Sequence, residues 1–164
     1  MAYMKILTLG DPKLRLKSEP VIEFDSNLKS LISTMFDIMY LGNGIGLAAV
    51  QVGILKQIFV IHITNDEPRV FVNPDILETS IELSKYEEGC LSVPGVTSDV
   101  ERPYAVKVQA YNADGKPFII NAEDLAATAI QHEIDHLNGK LFIDYLNDEK
   151  REKLINEYNK KVVI

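Results

Sequence analysis

Cysteine occurs once in this chain, at Cys90, so no internal disulfide can form, and that side chain is either a buried apolar filler or a chemical group. Basic clusters are also scarce. The formal net charge is -7, and no Arg or Lys patch offers the phosphate-neutralising face that direct nucleic-acid binding requires. One stretch departs from this balance: between Asp148 and Ile164 five Lys or Arg meet four Asp or Glu, giving +1 against -8 for the remainder, so a different neighbour is expected there. No apolar run approaches the roughly 20 residues of a membrane-spanning helix. The opening Met1-Ala2-Tyr3-Met4-Lys5 has neither the apolar core of a secretory signal nor the Arg-rich pattern of a transit peptide, so no membrane association and a cytoplasmic location are expected. Gly and Pro are scattered, and repeats and low-complexity runs are missing. With 164 residues, nearly half of them apolar, a single domain spanning 1–164 is expected.

What is present divides into helices and strands. Asp25-Ser26-Asn27 offers N-caps, and Leu28, Leu31, Ile32, Met35, Phe36 and Met39 follow at helical spacing until Gly42-Asn43-Gly44 stops the pattern. Residues 57–63 and 69–72 read as strands around the polar turn 64–68. Alternation at Val106, Val108 and Ala110, the turn signal Asp114-Gly115 and the return 117–120 read as a hairpin. Asn121 is expected to cap a second helix from Ala122 to Asn138, stopped by Gly139. Asn147-Asp148 caps a third, terminal helix with a thin stripe of Leu154, Ile155, Tyr158 and Val162. The expected class is α+β, with antiparallel strands packed around the second helix, a long helix in the N-terminal half and a C-terminal helix.

That second helix carries Gln131-His132-Glu133-Ile134-Asp135-His136, an HExxH pattern. Positions 132 and 136 are one turn apart on one face, so both imidazoles can bind one metal while Glu133 stands beside it to handle a proton. Two of the chain's three histidines fall in the pattern, whereas His62 sits in an apolar strand and reads as structural. A hydrolytic site needs a third protein ligand and an open position for water. One candidate is Cys90 in the turn-rich segment Glu88-Gly89-Cys90-Leu91-Ser92-Val93-Pro94-Gly95. The other is a terminal-helix carboxylate, Glu152 or Glu157, which would make the protein a small HExxH zinc endopeptidase. A metal that merely holds the fold is a third reading, but structural zinc usually takes four protein ligands, and no second Cys or spare paired His exists.

Three motifs in order, Gly44-Ile45-Gly46-Leu47-Ala48-Ala49-Val50-Gln51, Glu88 to Ser92 and Gln131 to His136, make the chain resemble the peptide deformylase family over essentially its whole length. The resemblance implies a metal-dependent hydrolase that removes the formyl group from the N-terminal formyl-methionine of nascent polypeptides, releasing formate. It implies Cys90, His132 and His136 as ligands, Fe(II) as native metal with Zn, Ni or Co able to substitute, and Glu133 as the proton-handling group. Gln51 through its side-chain amide and Leu91 through its backbone N–H would stabilise the oxyanion. Gly44, Ile45, Gly46 and Gly89 would line a cleft that pairs with formyl-methionyl peptides as an added strand, and Ile45, Ile130 and His132 would line the methionine pocket. Glu88, Arg102 and Asp135 are candidates to hold the ligating histidines. The terminal helix would dock near the ribosomal exit tunnel. Residues 95–98 carry no arginine, which some relatives have near the cleft.

Overall fold

The computed structural model describes residues 4–162, and for Val162 the backbone only, so its expected place in the terminal stripe lies outside the described side chains. Helix α1 spans Ser26–Leu41. Asp25 caps it, its Oδ1 accepting from the Leu28 N–H at 3.0 Å, and Gly42 ends it. Its buried face is Leu28, Ile32, Met35 and Met39, so the methionines are core packing, as the periodicity indicates.

Five antiparallel strands form one sheet in the order β1 (Gly46–Ala48), β2 (Ile58–Ile61), β3 (Arg69–Thr79), β6 (Ala105–Tyr111), β7 (Pro117–Glu123). Strand β2 is buried along its whole length because the sheet is covered on both faces. Its period of two sends Ile58 and Val60 to the α1 side and Phe59 and Ile61 to the side of helix α2 (Asp124–Leu137). Phe59 and Phe71 stack at 4.6 Å beneath α2, and burying such a ring contributes about 1.5–3 kcal/mol. The remaining strands, β4 (Leu83–Cys90) and β5 (Val93–Pro103), form a separate hairpin. It packs on α2 and on helix α3 (Asp148–Val162), whose Leu154 and Tyr158 bury against Val93, Val96 and Val100.

The fold is α+β, with antiparallel sheets and three α-helices among the described residues. Several boundaries differ from expectation. Asn121 does not cap α2: β7 runs on through Glu123, pairing Asn121 with Lys107, and α2 starts at Asp124, which takes φ +60. Strand β3 continues seven residues past Val72, hidden in the sequence by Pro74 and by Asn73 at φ +50, where the pairing with β6 bulges. The glycine- and proline-rich segment around Cys90 is not simply a turn but the tip of the β4–β5 hairpin. Gly139 ends α2 as expected, at φ +75, and a Cβ there would lie 2.5 Å from the Arg15 carbonyl oxygen.

Candidate metal and catalytic site

Strand β4 and helix α2 lie side by side, and their inward side chains meet. Alternation along β4 turns Tyr86, Glu88 and Cys90 inward, while the helical repeat turns His132 and His136 toward them. Cys90 Sγ is 3.3 Å from His136 Nε2, which is 3.3 Å from His132 Nε2. The three ligand atoms all lie within 4.8 Å of one another, and this is the cluster of metal-ligating type found among the described residues. Metal–nitrogen bonds of about 2.1 Å and metal–sulfur bonds of about 2.3 Å in a tetrahedron would separate such atoms by about 3.4–3.6 Å, close to the two separations of 3.3 Å. Burial would lower His132, but hydrogen bonds to Cys90 and Glu88 outweigh it and hold this imidazole well above its ordinary value, whereas burial and the neighbouring His132 push His136 well below. The pair accepts one positive charge, not two.

Glu133 is buried beside the ligands, its Oε1 without a hydrogen-bond partner among the described residues. Burial pushes its carboxyl up to about 7, near the working range of a general base. Its Oε2 lies against β1 at Gly46, where a Cβ would come within 2.5 Å, so the glycine leaves room for the carboxylate. Behind the histidines stands an ion network. Glu88 accepts from His132 Nδ1 at 2.9 Å and from Arg102 Nε and Nη2 at 2.7 and 2.9 Å, and Arg102 Nη1 reaches Asp135 at 2.7 Å. Burial would raise Glu88, but these hydrogen bonds outweigh it and keep the carboxylate ionised. Such a partner fixes the tautomer and ring orientation of a ligating histidine.

Gln51 is turned inward by a 3-10 helix, Ala49–Val52. Its Oε1 accepts from the Ala48 N–H, and its Nε2 donates to Ser92 Oγ at 3.0 Å and toward Cys90 Sγ at 3.5 Å. The Ser92 N–H also points at Cys90 Sγ, at 3.4 Å. A cleft of about 480 Å³ opens over these groups, lined by Gly44, Ile45, Gly46, Gly89 and Leu91 among others. Ile130, expected in the methionine pocket, does not line the cleft. It is fully buried in the core with Phe59 and Phe71, because two residues on a helix turn a side chain about 200° away from His132. Leu125, Thr128 and Ala129 line the cleft instead, with Tyr86 opposite. Counting back from His132 by seven, four and three would have found the helical residues; Tyr86 left no such trace.

Glu152 and Glu157 are not near the histidines. Both are exposed on α3, which packs on β5, and Glu157 pairs with Lys161 at 3.5 Å. The endopeptidase ligand set is therefore not assembled. His62 is structural as expected: Nδ1 is 2.8 Å from the Tyr40 hydroxyl, Nε2 is 3.0 Å from the Asp66 carbonyl, and its N–H donates to the Ile45 carbonyl.

Known proteins of one family resemble the chain over nearly its whole length. A family model described as polypeptide deformylase matches residues 3–152. The chain is 47% identical over 163 residues to a peptide deformylase of Azotobacter vinelandii, covering 98% of this chain and 97% of that one. Among solved structures it is similar to a Legionella pneumophila peptide deformylase (46% identity, TM-score 0.92, 97% and 95% of the two chains). It is also similar to an Ehrlichia chaffeensis peptide deformylase in complex with actinonin (39% identity, TM-score 0.95, all of both chains).

Proposed function

The chain belongs to the polypeptide deformylase family, and from that premise we propose that its 164 residues act as one catalytic unit with the HExxH helix α2 at its centre, in which Cys90, His132 and His136 hold the metal and Glu133 moves the proton. The activity is metal-dependent removal of the formyl group from N-terminally formylated nascent polypeptides. The observation that carries the assignment is the convergence of one thiol sulfur and two imidazole nitrogens with a buried, partnerless carboxylate oxygen beside them. When bound, a divalent metal supplies an acidified water and a Lewis acid for the formyl carbonyl.

The chain's own residues do the rest. Glu133 takes the water proton and later delivers it to the departing amine, which must leave protonated. The Gln51 Nε2 hydrogen directed at Cys90 Sγ is the weaker of its two contacts, and it turns to the oxyanion as charge develops. The Leu91 N–H, which has no hydrogen-bond partner among the described residues, is the second donor. Glu88, held by Arg102, keeps His132 oriented. Gly44, Ile45, Gly46 and Gly89 present backbone to an extended peptide, so residues after the first are bound without regard to their side chains.

Fe(II) is the proposed resident metal, with Zn, Ni or Co accepted by the same thiolate and imidazole donors. A thiolate beside a redox-active ion is open to oxidation, so the Fe(II)-loaded enzyme is expected to lose activity in air faster than the Ni(II)-loaded enzyme. Equal lifetimes for the two, followed by formate release, would contradict this oxidation liability. No helix among the described residues is long and apolar enough to cross a membrane, and a cytoplasmic location is part of the proposal. So is docking near the ribosomal exit through α3, whose Lys153 and Lys160 are exposed. Co-sedimentation with ribosomes should be lost in the Lys153→Glu, Lys160→Glu double variant; unchanged co-sedimentation would remove this role.

A further inference from the structure

Three contacts between β4 and α2 occur in the same order along both elements: the Tyr86 hydroxyl to Asp124, Glu88 to His132, and Cys90 to His136. The strand and the helix therefore run parallel and are tied at three points. Between the first two ties, β4 advances about 7 Å, two residues of strand. Over the same interval α2 advances about 12 Å, eight residues of helix. A longer run of helix than of strand therefore lies between the same two ties, and the gap beside it is lined from α2 by Leu125, Thr128 and Ala129 and from β4 by Tyr86 and Glu88. At one end of the gap lie the ligand atoms, and at the other lies the Tyr86–Asp124 hydrogen bond.

We infer that the Tyr86–Asp124 clasp is the end wall of the pocket for the substrate's first side chain and sets the length of side chain the enzyme accepts. The inference rests on the site assignment proposed above. Leu125 and Ala129 make the walls apolar, and Thr128 contributes a hydroxyl with no hydrogen-bond partner among the described residues, so the pocket suits an unbranched, weakly polar side chain of a few atoms. Farthest along β4 from the ligand atoms stands the Tyr86 ring. The ring is anchored from an unusual place. Asp124 is the first residue of α2 and holds φ +60, a conformation that non-glycine residues rarely adopt, with its own N–H bonded to the Tyr104 carbonyl. Continuing β7 up to the helix start is what forces that backbone, and the same turn aims the Asp124 carboxylate across at Tyr86. Tyr86 is thus a specificity-determining residue and Asp124 the residue that positions it.

The test compares formyl-tripeptides that differ only in their first residue, methionine or the longer, unbranched 2-aminooctanoic acid. The readout is formate release, taken as the ratio of kcat/KM for the long side chain to that for methionine within each variant, which cancels differences in active fraction. Tyr86→Ala removes the wall, and Asp124→Gly removes the anchor while tolerating the positive φ; each should raise the ratio at least about 10-fold, through KM, since a single methylene in such a pocket is worth about that much. Tyr86→Phe keeps the ring but loses the same hydrogen bond and should raise the ratio as far as Asp124→Gly does, and combining the two should raise it no further than either alone. Ratios equal to wild type in all variants, with wild type releasing formate from the methionyl peptide, would overturn the clasp and leave the site assignment standing. No release from the methionyl peptide by metal-loaded wild type would overturn both.

Discussion

Glu133→Gln should keep its metal and lose formate release by about 10²- to 10⁴-fold, the range expected when a positioned acid–base group is removed. Gln has the shape of Glu and cannot carry the proton, and Glu133 is not one of the three converging ligand atoms. Gln51→Ala, which spares the base and removes an oxyanion donor, should fall by about 10²- to 10³-fold in kcat, again with metal retained. The Glu133 substitution has a second signature in the metal-free protein. Its carboxyl rises from 4.5 to about 7 on folding because burial disfavours the charge. Between those values the folded chain holds a proton that the unfolded chain has released, so this group lowers stability as pH rises from 4.5 to 7 and by a constant amount above. Glu133→Gln removes that loss. At pH 8 the metal-free variant should be more stable than wild type, by up to about 3 kcal/mol, and the difference should vanish near pH 4.5. Denaturant unfolding at the two pH values reads it; a variant less stable at pH 8 would show that the buried carboxylate is compensated after all.

Cys90→Ala should bind no stoichiometric metal and release no formate. Two histidines one turn apart remain, but an open hydrolytic site needs three protein ligands. The loss is local in structural terms. Cys90 Sγ also receives the Ser92 N–H and the Gln51 Nε2, so its removal slackens the hairpin tip and one oxyanion donor at once. Metal counting after dialysis against Fe(II) or Zn(II) is the measurement, and one metal per chain in Cys90→Ala would rule the thiolate out as a required ligand.

Much of this site was legible because its chemistry is locally encoded. One helical turn brings His132 and His136 together, and Glu133 follows from the same turn. The third ligand was not local. Cys90 approaches the histidines only because β4 runs beside α2, and spacing alone left Glu152 and Glu157 open as rivals; the motif resemblance, not periodicity, favoured Cys90. The errors have physical causes. Ile130 is near His132 in sequence but on the far side of the helix, and Asn121 is a good capping residue that the β6–β7 pairing keeps in a strand. Strands β4 and β5 escaped because one face of the hairpin is exposed and charged, and because glycine and proline at its tip read as loop. The Tyr86–Asp124 contact had no signal, since it depends on a left-handed backbone at Asp124 that a strand-to-helix junction imposes.

One metal is expected between the Cys90 sulfur and the two Nε2 atoms of His132 and His136. An anaerobic crystal of the Fe(II)-loaded protein, measured on both sides of the iron absorption edge, tests it most directly. One anomalous peak per chain is expected, about 2.3 Å from Cys90 Sγ and about 2.1 Å from each Nε2, with a further position open toward Glu133. A peak held by any carboxylate in place of Cys90, or a fully active crystal with no peak between these three atoms, would contradict it.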